Sequence, residues 1–106
     1  MKFYVKLPDN SVREAMTKPG HSVMEAMRDA GIPVRADCGG AMACASCHVV
    51  VDEAWLPRVG MAGPEESDLL DCSDYKVPGS RLSCQMYVGE SLNGLSVTLQ
   101  LDAFEG

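Results

Sequence analysis

The run Asp37–Val49, DCGGAMACASCHV, sets three thiols, Cys38, Cys44 and Cys47, inside ten residues and fills the gaps mostly with Gly39, Gly40, Ala41, Ala43, Ala45 and Ser46. Residues this small contribute little to a core. Two adjacent glycines, however, let the backbone enter left-handed turns closed to most side chains. In such turns successive peptide N–H groups can point at one centre, and alanine and serine leave the approach clear. The stretch reads as a backbone wrap around something anionic.

Working outward, the segment before the loop carries helix signals. Ser22 and Glu25 fit an S-x-x-E capping box, and Val23, Ala26, Met27 and Ala30 form an apolar stripe, stopped by Gly31 with Pro33 beyond. Further back, Phe3, Val5 and Leu7 alternate with Lys2, Tyr4 and Lys6. Pro8, Asp9 and Asn10 make a turn, and a weaker strand follows from about 11 to 17, so the chain opens on a β-hairpin. After the loop, HVVVD at 48–52 reads as a short buried strand and 53–63 as irregular. Gly63, Pro64, Glu65 and Glu66 open a second short helix reaching about Cys72. RLSCQMYV at 81–88 puts Leu82, Cys84, Met86 and Val88 on one side of a strand. Leu95, Val97, Leu99 and Leu101 alternate with polar residues in a last one. The pattern predicts an α+β domain spanning residues 1–106, with one main helix laid across a small mixed sheet.

Length and charge narrow the function. A chain of 106 residues suits one compact domain. Its apolar runs are far shorter than the roughly 20 residues of a membrane span, and nothing resembles a signal peptide, so a cytoplasmic protein is expected. Fifteen acidic against nine basic residues leave a net charge of −6, which disfavours nucleic acid and suggests a basic protein partner or simply solubility. Five cysteines in a reducing compartment suggest metal or redox chemistry rather than a disulfide framework.

The thiols follow C-x5-C-x2-C-x36-C through Cys38, Cys44, Cys47 and Cys84, with Cys72 left over. Three chemistries compete for this pattern. Structural zinc usually takes two short-spaced pairs, and only one C-x-x-C is present. A thioredoxin-like dithiol would use Cys44 and Cys47 at the start of a long helix, but HVVVD follows them and two thiols go unused. A two-iron cluster uses two thiolates per iron and, bearing net negative charge, needs many inward N–H donors. It alone accounts for the small residues as well as the sulfurs.

The spacing, the string CGGAMACASCHV and the later RLSCQ resemble the adrenodoxin and putidaredoxin group of [2Fe–2S] ferredoxins over nearly the whole chain. That resemblance implies a β-grasp fold with a cluster-binding loop and one [2Fe–2S] cluster on Cys38, Cys44, Cys47 and Cys84. It implies an electron-transfer protein, not an enzyme, acting as a monomer. The electron would pass from a flavin-containing ferredoxin reductase to a terminal acceptor. A cytochrome P-450 ranks first, a Rieske-type oxygenase second and iron–sulfur cluster assembly third. The family's acidic helix, where basic partners dock, falls on Glu65, Glu66, Asp68, Asp71 and Asp74; acids at a helix start also complement its dipole. A bacterial cytoplasmic member is favoured.

Other residues receive plainer expectations. His48 is a buried histidine bracing the loop. Cys72 packs as a small apolar residue. Met42 sits at the loop rim or in the core, Trp55 lines the irregular segment, and Phe104 belongs to a frayed tail.

Overall fold

In the computed structural model, residues 2–17, 20–35, 47–60, 62–87, 89 and 93–104 are described. Their strands are β1 (Lys2–Lys6), β2 (Val12–Met16), β3 (His48–Val51), β4 (Ser80–Leu82) and β5 (Leu95–Leu99). The helices are α1 (Val23–Asp29), α2 (Leu56–Val59) and α3 (Pro64–Leu70). The strands form one sheet in the order β2-β1-β5-β3-β4. β1 and β5 run parallel at its centre, with Val5 opposite Val97, and the remaining pairings are antiparallel.

The opening hairpin forms because its turn is chemically prepared. The Leu7 carbonyl accepts from the Asn10 amide at 2.8 Å and the Leu7 amide donates to Ser11 at 2.8 Å. Asn10 adopts φ 72°, a conformation asparagine tolerates better than most residues. The Asp9 carboxylate accepts from the Ser11 amide at 2.9 Å and its hydroxyl at 2.6 Å. Strict alternation then buries Phe3, Val5 and Leu7.

The capping box forms at α1: the Glu25 amide donates to Ser22 Oγ at 3.2 Å, and the Ser22 amide donates back to Glu25 Oε1 at 3.0 Å. Val23, Met24, Ala26 and Met27 enter the core, each larger side chain worth about 1.5–3 kcal/mol of burial. Ala30 is exposed, so the inner stripe includes Met24 in its place. The core gathers these side chains with Ala15, Val49, Val51, Leu70, Leu82, Leu95, Val97 and Leu99.

Four boundaries differ from the sequence expectation. Residues 53–59 are not irregular: a 3-10 turn at Glu53–Trp55 runs into α2, where Pro57 is compatible with a first turn that needs no N–H. α3 ends at Leu70, short of the expected end near Cys72. β4 ends at Leu82, and Cys84 lies in a 3-10 turn over Ser83–Gln85. β5 ends at Leu99, leaving Leu101 54% exposed in another such turn. Phe104 is no frayed tail: it bridges Val34 and packs half-buried against the core. Val88 lies outside the described residues.

Candidate metal centre

Two of the four sulfurs are brought together by strand register. β3 and β4 pair antiparallel with His48 opposite Leu82, so Cys47, just before β3, meets the turn just after β4. Ser83 fastens this junction, its amide donating to the Cys47 carbonyl at 3.1 Å and its hydroxyl to the same oxygen at 2.7 Å. Cys47 is 1% and Cys84 4% exposed. Cys38, Cys44 and Met42 lie outside the described residues, as does most of the glycine- and alanine-rich run.

The pair is electrostatically uneven. Hydrogen bonding from the Cys47 thiol is the chief cause that draws Cys84 down to about 6; burial opposes it, and the Gln85 side-chain amide assists, its Nε2 donating to Cys84 Sγ at 3.4 Å. Cys47 is pushed far above the usual thiol range, first by that same bond to Cys84 and then by burial. The hydrogen bond between the two thiols sets their acidities apart, and a metal would displace the protons they hold. Two buried sulfurs from separate segments of the chain, one receiving an N–H donor, fit an iron–sulfur ligand set.

Directly behind Cys47, His48 is completely buried and satisfied on both nitrogens. Nε2 lies 2.7 Å from Ser80 Oγ, and Nδ1 is hydrogen-bonded to Asp102 Oδ2 at 3.3 Å. Ser73 Oγ donates to the same Asp102 oxygen. The histidine is buried and satisfied as expected, on Ser80 and Asp102, while the loop it was expected to brace lies outside the described residues. Its carboxylate partner lay beyond sequence reasoning because 54 residues separate the two.

The acidic residues divide. Glu66 is 5% exposed and faces inward, one helical turn before buried Leu70. It accepts from Arg81 Nε at 2.6 Å, from Arg81 Nη2 at 3.3 Å and from the Leu82 amide at 2.9 Å. Its assignment to a docking surface is therefore corrected: Glu66 pins α3 to β4 and leaves no free charge outside. The i−4 spacing from Leu70 was the available signal. Glu65, Asp68, Asp71 and Asp74 are exposed, and Asp71 is paired with Lys76. Cys72 also departs from expectation. It is exposed rather than packed, its thiol donating weakly to the Asp68 carbonyl at 3.8 Å. Trp55 is half-buried against the core, with the Arg58 guanidinium 5.2 Å over its ring.

Residues 7–89 match the family model described as a 2Fe-2S iron–sulfur cluster binding domain. The 2Fe-2S ferredoxin CtmE of Castellaniella defragrans is 44% identical over 89 residues, 83% of each chain. Among solved structures, a ferredoxin from Rhodopseudomonas palustris HaA2 superposes with a TM-score of 0.91 at 33% identity, covering 97% of this chain and 99% of that one. Putidaredoxin in a covalent complex with putidaredoxin reductase gives a TM-score of 0.87 at 36% identity, covering 93% and 97%.

Proposed function

This chain belongs to the family of 2Fe-2S iron–sulfur cluster binding domains, and from that premise we propose that it carries single electrons from a flavin-containing ferredoxin reductase to a monooxygenase, a cytochrome P-450. It has the β-grasp ferredoxin fold, binds one [2Fe–2S] cluster and is an electron carrier rather than an enzyme. The observation that carries the proposal is the buried Cys47–Cys84 pair, assembled across the β3–β4 junction.

In this reading residues 1–106 are one domain, and Cys38, Cys44, Cys47 and Cys84 are the ligands. The bound cluster supplies reversible one-electron chemistry. The protein's own residues do the rest. Ser83 holds the Cys47 backbone, Gln85 donates to the Cys84 sulfur, and His48 anchors the strand behind them. Burial of both sulfurs excludes water from them. Putidaredoxin in the solved complex is joined to its reductase, which supports a reductase as donor here. A bacterial cytoplasm, where thiols stay reduced, is the proposed compartment. Among the described residues no helix is long and apolar enough to cross a membrane.

The test is composition followed by turnover. Aerobically purified protein should be red-brown, hold about two irons and two acid-labile sulfides per chain, and become paramagnetic on one-electron reduction. A cytochrome P-450 supplied with electrons through a ferredoxin reductase should turn over only when this protein is added. Zinc without labile sulfide would end the cluster reading. A normal cluster with no transfer to any cytochrome P-450 tried, but transfer to a Rieske-type oxygenase, would replace the acceptor.

A further inference from the structure

Gln85 follows Cys84 in the chain, and its side chain turns back so that Nε2 donates to Cys84 Sγ at 3.4 Å. It is half-buried, while Cys84 is almost completely covered. With Gly63, Pro64, Glu65 and Glu66 it lines an open groove of about 360 Å³. A neutral donor thus stands between a proposed ligand sulfur and a solvent-facing groove edged by exposed Glu65, with the Glu66 carboxylate turned inward onto Arg81. Glu66 is neutralised by Arg81, and its remaining field acts against negative charge on Cys84. Gln85 acts in the opposite sense.

Resting on the assignment of Cys84 as a cluster ligand, we infer that Gln85 is a positioning residue that raises the reduction potential of the centre. The physical reason is differential hydrogen bonding. One electron added to the centre increases the negative charge shared with the ligand sulfurs. An N–H donor bonds more strongly to a more negative acceptor. The Gln85 amide therefore stabilises the reduced state more than the oxidised one, and such bonds are among the determinants of iron–sulfur potentials. The electron balance is simple: one electron enters, no bond breaks, and the proton stays on Nε2. The contribution of Gln85 is accordingly independent of pH near neutrality.

The experiment uses the holoprotein. Gln85→Leu keeps the bulk and removes the donor; Gln85→Glu keeps the shape but adds charge in place of the donor. Both should retain the visible bands while the midpoint potential moves negative, further in Gln85→Glu, by the same amount at pH 7 and pH 8. An unchanged potential in fully loaded Gln85→Leu overturns the inference. Wild-type protein offers a readout free of misfolding. In the reduced state the Gln85 side-chain ¹⁵N should show a hyperfine shift that is absent from Gln100, whose amide donates to the Tyr75 carbonyl at 3.1 Å. Equal, unshifted resonances for both glutamines overturn the inference even if the variants fail to load. Cys84→Ser separates the two levels. An unaltered spectrum there removes the ligand assignment itself, whereas a lost spectrum beside an unchanged Gln85→Leu potential removes only the role of Gln85.

Discussion

Cys84 and Cys72 are the same residue type in opposite surroundings, and the contrast sets their expected behaviour. Cys84 is buried against Cys47 and receives an amide donor; Cys72 is exposed at the end of α3. Cys72→Ser should leave the visible spectrum intact, while serine at Cys38, Cys44, Cys47 or Cys84 should abolish or badly alter it. The alkoxide-type oxygen of serine is a harder, poorer partner for these irons than thiolate. Iron content and absorption of the five variants check this. Cluster loss in Cys72→Ser alone would overturn the ligand assignment. Glu66 carries a second residue-scale prediction. Its carboxylate balances Arg81 where side-chain exposures are 6% and 11%, so Glu66→Gln leaves a buried guanidinium uncompensated. Such a loss costs about 3–5 kcal/mol, and the lower figure applies here because Arg81 Nη1 keeps the Gly60 carbonyl at 3.1 Å. Urea denaturation should register that drop, whereas exposed Asp68→Asn should change stability by less than about 0.5 kcal/mol.

Among the elements, α1 is short enough that its ends matter. Seven residues are well below the length at which an isolated helix holds in water. Its persistence rests on the buried face, on the capping box, and on the Val23 amide, which donates to the Met86 carbonyl at 2.7 Å. Ser22→Ala should therefore cost about 1 kcal/mol in chemical denaturation. The box also gives a pH dependence with a definite sign. The Ser22 backbone N–H, as the largest cause, lowers Glu25 below its ordinary value of 4.5. The folded state thus binds this proton less readily than the unfolded state. The contribution of Glu25 is complete above 4.5 and is lost as pH falls through the lower folded value. Acid unfolding of Glu25→Gln should lack that component, and an identical acid limb in both proteins would remove it.

For the whole molecule, the relevant quantity is charge. The chain carries −6, and a bound oxidised cluster on four thiolates adds −2, making about −8 in all. Glu65, Asp68 and Asp71 recur every third residue along the outer side of α3, and Asp74 follows. If this ridge steers basic partners, association should slow as salt shortens the screening length to about 8 Å at physiological strength. Asp68→Asn with Asp71→Asn should slow both reductase-driven reduction and delivery to the acceptor, and flatten the salt dependence of each. Lys76→Gln should act in the opposite direction by releasing Asp71 from its internal ion pair. Stopped-flow rates across a salt series decide the matter; unchanged rates in both half-reactions would leave the ridge a solvated face. One ridge serving donor and acceptor in turn would also make the protein a shuttle.

How far the sequence reaches depends on the range of the interactions involved. The hairpin, the capping box, the start of α3 and the cysteine spacing were legible because each depends on neighbours within a few residues. Asp9 bonds Ser11, and Ser22 bonds Glu25. Strand ends were less legible: Cys84 and Leu101 continue an alternating pattern that tertiary packing stops in favour of 3-10 turns. The direction in which Glu66 points was settled by Arg81, 15 residues away, and the partner of His48 by Asp102. Sequence by itself determined the opening hairpin, α1, the start of α3 and the candidate sulfurs. Only the tertiary structure decided that Cys47 and Cys84 meet, that one carboxylate of the acidic helix is internal, and that Gln85 turns its amide onto sulfur. Those outcomes depend on strand register and burial, which pair residues the chain itself keeps far apart.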